Sequence, residues 1–155
     1  MFAIIYPGQG SQYLGMCRDF YDNFPKVRDI FAEISEVTNI DIKEIIFEDK
    51  NNQLNITEYT QICIYAVSIS IFSVIKDLYS ERINAKTLYM AGHSLGEYSA
   101  ISASNSISIS DCGKLLKLRG KYMQNSSPEI PSGMLAVIGL DIEIIESILE
   151  KEENK

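Results

Sequence analysis

Histidine is nearly absent: His93 is the only one in 155 residues. Any reaction that needs an imidazole base must use that residue or a group outside the chain. Cysteine is scarce too. Cys17, Cys63 and Cys112 are odd in number, widely spaced and form no C-x-x-C pair, so neither a disulfide framework nor a zinc site is indicated. Positive charge is in deficit, with 14 Lys+Arg against 21 Asp+Glu and a formal net charge of -7. That balance argues against nucleic-acid and anionic-membrane partners, both of which want basic surface. Long hydrophobic runs are lacking. The longest, near residues 62–75, is interrupted by Ser68, Ser70 and Ser73 and closed by Lys76-Asp77, which suits a buried core helix and not a membrane span. The opening Met-Phe-Ala-Ile-Ile-Tyr meets Pro7-Gly8 with no basic region and too short an apolar run for a signal peptide, so a reducing cytoplasm is the expected location.

What remains is 46% hydrophobic and 23% charged content, the profile of one soluble globular domain. At this length a chain buries roughly 70% of its unfolded surface. Residues 2–6 form a continuous apolar run suited to a buried strand, followed by a loop over 8–12. Helical periodicity appears around 13–22 and again after Pro25, where Val27, Ile30, Phe31 and Ile34 form a stripe. A short helix is expected near 41–48, before the polar cluster Glu48–Asn52. Thr57 is the expected N-cap of a long central helix reaching Tyr79. Leu88–Ala91 reads as the next buried strand, with a helix from Ser94 to Ala103 and another starting at Ser110 or Asp111 and running to Asn125. Pro128, Pro131 and Gly133 mark a linker, Met134–Gly139 reads as a strand, and Asp141 caps a helix over 142–151. The order β-α-α-α-β-α-α-β-α is an α/β pattern. A strand and one helix after a linker are too little to form a second domain, and read as the start of something that stops.

Three stretches could carry chemistry. Gly92-His93-Ser94-Leu95-Gly96 is a G-x-S-x-G between a predicted strand and a predicted helix, where a serine is exposed on a tight turn and glycines permit close backbone approach. The N–H of Leu95 can donate there to a developing oxyanion. The alternative is a small-residue turn that serves helix–sheet packing. Pro7–Gln12 follows the first strand, and the glycine-flanked N–H of Gln9 suits a second oxyanion donor; the alternative is a simple turn. Arg119 offers a fork able to hold a carboxylate through two parallel bonds, or is a solvated helix residue.

Together, Gly8–Gln12, Gly92–Glu97 and Arg119 four residues before Met123 resemble the malonyl-CoA:acyl carrier protein transacylase family, which includes the acyltransferase domains of fatty-acid and polyketide synthases. Gly133–Gly139 resembles the strand that opens that family's small subdomain. The chain departs at Thr60-Gln61-Ile62, where the family commonly has Thr-Gln-Pro. The resemblance implies the N-terminal part of an α/β-hydrolase-like acyltransferase core over residues 1–127 and the truncated beginning of a ferredoxin-like small subdomain over 128–155. It also implies malonyl transfer in fatty-acid biosynthesis, from coenzyme A through a Ser94 acyl-enzyme to the phosphopantetheine thiol of acyl carrier protein. Leu95 and Gln9 would form the oxyanion hole, Arg119 would clamp the malonyl carboxylate, and Gln61 would line the site. Gly92, His93 and Gly96 would build the elbow. No metal or redox cofactor is implied, since coenzyme A and phosphopantetheine act as acyl carriers.

A serine nucleophile needs a base. His93 is adjacent to Ser94, and neighbouring side chains diverge on a tight elbow, so His93 is expected to be a buried, hydrogen-bonded residue of the turn. In the family the base is a downstream histidine without counterpart here. Three readings stay open: a partial or split transacylase that needs a complementing C-terminal half; a self-contained serine esterase or patatin-like hydrolase with a base from Asp111 or Asp141; and a non-catalytic remnant that at most binds acyl carrier protein. Lys114, Lys117, Arg119 and Lys121 concentrate positive charge that could steer an acidic carrier protein, or form a solvated helix face.

Overall fold

The computed structural model describes residues 2–126 and 135–153. Its sheet has two strands. β1 (Phe2–Tyr6) and β2 (Thr87–Gly92) pair in parallel, with Ala3 opposite Tyr89 and Tyr6 opposite Gly92 and a register shift between Phe2 and Ala3. Parallel strands require a long crossover, and here it contains α1 (Arg18–Asn23), α2 (Pro25–Thr38), α3 (Ile42–Phe47), α4 (Thr57–Leu78) and α5 (Ser80–Lys86). After β2 come α6 (Gly96–Ala103), α7 (Ile109–Gln124) and α8 (Ile142–Glu153).

The local reasons for these elements are conventional. Pro25 begins α2, where its missing N–H costs no intrahelical bond, and Asn39 ends it in the left-handed region at φ 54°. Asp41 caps α3 by accepting from the Glu44 N–H. α4 is long and apolar enough to cross a membrane by length and composition, yet it lies at the centre of the core, packed on α2, α6 and α7. Ile62, Cys63, Tyr65, Ala66 and Ile69 are buried, which accounts for a helix hydrophobic nearly all round. The Tyr65 hydroxyl is bonded to Ser102 and Ile109, tying α4 to α6 and to the start of α7. Tyr6 ends β1 edge-on to the Phe72 ring; its hydroxyl has no partner among the described residues, and burial raises its pKa above the usual phenol range.

Several expectations are corrected. Thr57 is the first residue of α4, with Ile56 at the cap position, and its side chain bonds elsewhere. α7 is capped by the Ser108 hydroxyl, which accepts from the Asp111 N–H, so the helix starts before Ser110. α5 was not expected: Ser-Glu-Arg-Ile-Asn-Ala-Lys has no apolar stripe, and Ile83 is its buried residue. The expected strand over Met134–Gly139 has no counterpart among the described residues 135–139. Leu135 and Ile138 stand 87% and 92% exposed there, and an apolar run with no strand to pair with gains nothing from extending. The predicted linker residues Pro128, Pro131 and Gly133 lie outside the described residues.

Candidate active site

The carboxyl ends of β1 and β2 feed two loops that touch. The loop after β2 holds Ser94 at φ 54°, in the left-handed region that a non-glycine residue enters only under constraint. The flanking glycines supply that constraint. A Cβ on Gly92 would lie 1.9 Å from the carbonyl carbon of Gly96, and one on Gly96 would lie 2.4 Å from the Tyr6 carbonyl oxygen. The first contact folds the turn back on itself and the second seats the start of α6 against β1. His93 donates its backbone N–H to the Tyr6 carbonyl at 3.1 Å, extending the strand pairing into the turn. Ser94 is left exposed while Leu95 is fully buried as the anchor beneath it.

The loop after β1 lies against this turn. A Cβ on Gly8 would come within 2.6 Å of the His93 Nδ1 and 2.7 Å of its carbonyl oxygen, so the approach admits glycine alone. The loop is braced by Ser11, which donates to the Gly8 carbonyl at 2.8 Å, and by Gln12, which accepts from the Gly10 N–H at 2.8 Å. Neither the Gln9 nor the Leu95 backbone N–H has a hydrogen-bond partner among the described residues. The Gln9 side chain points away and donates to the Thr57 hydroxyl.

α7 brings the cation. The Arg119 guanidinium donates through Nη2 to Ser94 Oγ at 3.0 Å and through Nη1 to Gln61 Oε1. Gln61 is wholly buried on α4, and its amide nitrogen faces Met123 Sδ at 3.2 Å. Arg119 also lies over the Tyr98 ring, 5.6 Å from its centroid. α7 can come this near because of Gly120, where a Cβ would meet the Glu58 Cα at 2.9 Å. Ser94, Arg119 and Gln61 are therefore one hydrogen-bonded set, and the Gln9 loop touches it through Gly8 and His93.

Other predicted residues are elsewhere. His93 is exposed and its ring makes no hydrogen bond among the described residues, contrary to the expected buried histidine, because the Gly8 contact leaves its outer side open. Asp111 bonds to Ser108 and Lys114 at the start of α7; the Ser108 hydroxyl and then Lys114 hold its carboxyl below the usual carboxylate range. The basic residues do not form a single patch. At 3.6 residues per turn, Lys114, Lys117 and Lys121 fall within about 60° of one another and Arg119 lies about 140° from Lys114. Lys117 is spent on the Thr38 carbonyl at 2.6 Å and Lys114 pairs with Asp111. Tyr98 has no place in the sequence reading and Met123 enters it only as a motif position beside Arg119, although each lies four residues from a candidate site residue, Ser94 and Arg119 respectively.

Comparison with known proteins shows what the chain as a whole is similar to. The sequence model of the acyl transferase domain family matches residues 3–150. The malonyl CoA-acyl carrier protein transacylase of Haemophilus influenzae is 39% identical over 99% of the chain and 49% of its own length. An acyl carrier protein S-malonyltransferase from Vibrio cholerae superposes with a TM-score of 0.80 at 38% identity, over 97% of this chain and 48% of that one. A malonyl-transacylase solved in complex with a type II PKS acyl-carrier protein gives 0.81 at 38% identity, over 97% and 47%. The chain thus spans about half the length of the relatives it matches.

Proposed function

The chain belongs to the acyl transferase domain family, and on that premise we propose that it carries the acyl-enzyme half of a malonyl transacylase site of fatty-acid synthesis, in the cytoplasm. Ser94 Oγ attacks the thioester carbonyl of malonyl-CoA. The oxyanion is received by the free N–H groups of Leu95 and Gln9, coenzyme A leaves as its thiol, and a malonyl–serine ester remains. The phosphopantetheine thiol of acyl carrier protein then attacks that ester, regenerating the Ser94 hydroxyl. The observation that carries this reading is the Arg119 guanidinium on Ser94 Oγ, braced by Gln61 from below and Tyr98 from the side. A cation held there meets the free carboxylate of an acyl group mounted on Ser94, which a plain acetyl or fatty acyl group lacks.

In this reading residues 1–127 correspond to part of an α/β-hydrolase-like large subdomain and 128–155 to the beginning of a ferredoxin-like one. The base comes from outside these residues. Among the described residues Arg119 is the hydrogen-bond partner of the Ser94 hydroxyl, and a guanidinium cannot accept its proton. A complementing C-terminal half is the proposed source, and the exposed Phe2, Ile5 and Tyr89 of the two-stranded sheet are surface that such a half could cover. The esterase alternative is less well supported, since Asp111 is engaged with Ser108 and Lys114 and does not reach Ser94.

The 155 residues alone are expected to show almost no turnover of malonyl-CoA with carrier protein; sustained turnover that vanishes in Ser94→Ala would show that a base is already present. In a complemented form, Arg119→Ala should lower malonyl relative to acetyl loading by tenfold or more, because about 1.5–3 kcal/mol is typical of a hydrogen bond to a charged group. An unchanged ratio overturns the clamp.

A further inference from the structure

Among the described residues, Thr57 joins the loop that carries Gln9 to the helix that carries Arg119, by its side chain on one side and its backbone on the other. Its hydroxyl accepts from Gln9 Nε2 at 3.1 Å, and its backbone N–H donates to Gln124 Oε1 at 3.1 Å. Gln124 lies five residues beyond Arg119 on α7, and Gly120 between them presses on the backbone of Thr57 and Glu58. Two residues before Thr57, Asn55 accepts from Gln12 Nε2 at 3.0 Å, giving the same loop a second tie to the start of α4. As the first residue of α4, Thr57 has an N–H with no intrahelical acceptor, which leaves it free for Gln124, and its hydroxyl is not needed as a cap.

We infer that Thr57 is a positioning residue, which fixes the Gln9 backbone N–H relative to Ser94 by tying the β1 loop to α7. The inference rests on the proposed acyl-transfer reading, in which that N–H is an oxyanion donor. Its structural part stands apart from that reading. Without the Thr57 bond the Gln9 side of the loop, held by its own turn and by the more distant Gln12–Asn55 bond, would sample positions in which the Gln9 N–H points away from Ser94. The Thr57 tie removes that freedom and makes the loop and the Arg119 helix one rigid unit. Oxyanion donors act by being held in place before the charge develops, so looseness here costs rate more than substrate affinity.

The test uses the 155-residue chain with Thr57→Val, which keeps the shape and removes the hydroxyl, Thr57→Ser, which restores it, and Gln9→Ala, which removes the donor from an exposed loop. Backbone 15N relaxation at Gln9 and Gly10 should give an order parameter near ~0.85 in the parent and in Thr57→Ser, and below ~0.6 in Thr57→Val and Gln9→Ala. The α6 amides should not change. Values that stay high in both weakened variants overturn the tie. The second readout is the equilibrium affinity, in alkaline buffer, for 3-boronopropanoic acid: Ser94 Oγ adds to boron, its proton passes to the buffer so that no base of the protein is required, boron becomes tetrahedral, and the carboxylate is directed toward Arg119. It should weaken about tenfold in Thr57→Val, recover in Thr57→Ser, and show no further loss when Thr57→Val and Gln9→Ala are combined. Looser loops with unchanged boronate affinity overturn the positioning role. A parent chain that forms no tetrahedral boronate sinks the Ser94 reading itself, while the relaxation data still decide whether the tie exists.

Discussion

The two ends of the small sheet contrast sharply. At the carboxyl ends of β1 and β2, backbone meets backbone at Gly8, Gly92 and Gly96 with no space for a methyl group. Along the strands themselves, Tyr89 stands 69% exposed and Ile5 75%, the latter lining an apolar hollow with Ile4, Val67, Ile71 and Ile75. The serine turn is thus complete while the sheet supporting it is open. The turn takes its shape from nearest neighbours, β1, β2 and α6, and needs nothing further away. The open strands bury little until something covers them.

Substitutions test that contrast. The largest effect is expected for Gly92→Ala, whose methyl would collide with the Gly96 carbonyl; overpacking against backbone costs ~3 kcal/mol or more, read as a fall in the urea midpoint with loss of Ser94 exposure. Next, two glycines of one helix should give opposite signs. Gly120→Ala, crowded by Glu58, should destabilise by about 1–3 kcal/mol. Gly113→Ala faces only side-chain methyls beyond 3.5 Å, the nearest being Ile34 at 3.6 Å, and should stabilise by about 0.5–1 kcal/mol. If both lose stability alike, α7 does not sit on α2 as described, since the neighbours of Gly113 are Ile34, Val37 and Thr38. The smallest change in stability belongs to the open strands: Ile5→Lys should move the midpoint by no more than about 0.5 kcal/mol while raising the concentration at which the chain stays monomeric in sedimentation.

Much of this was legible in the sequence. The apolar run before Pro7, the stripe of α2 behind Pro25 and the all-round hydrophobicity of α4 each announce an element that the structure contains. The serine turn was legible because its glycines are dictated by contacts within a few residues and by the adjoining strand. What escaped was decided at longer range. Thr57 reads as a cap because threonine before a helical run normally is one, but its hydroxyl answers to Gln9, 48 residues earlier. Four basic residues within eight positions read as one patch, and only their angular phase on α7 separates Arg119 from the lysines. The apolar run at 135–138 reads as a strand because period and composition say nothing about whether a neighbouring strand exists.

The Gly8–His93 contact also governs how the site can move. The space between Gly8 and the His93 carbonyl does not admit even a methyl group, so the β1 loop has far less room to move toward the serine turn than away from it. Softening of the protein, by heat or by mutation, therefore biases the two loops toward a wider separation.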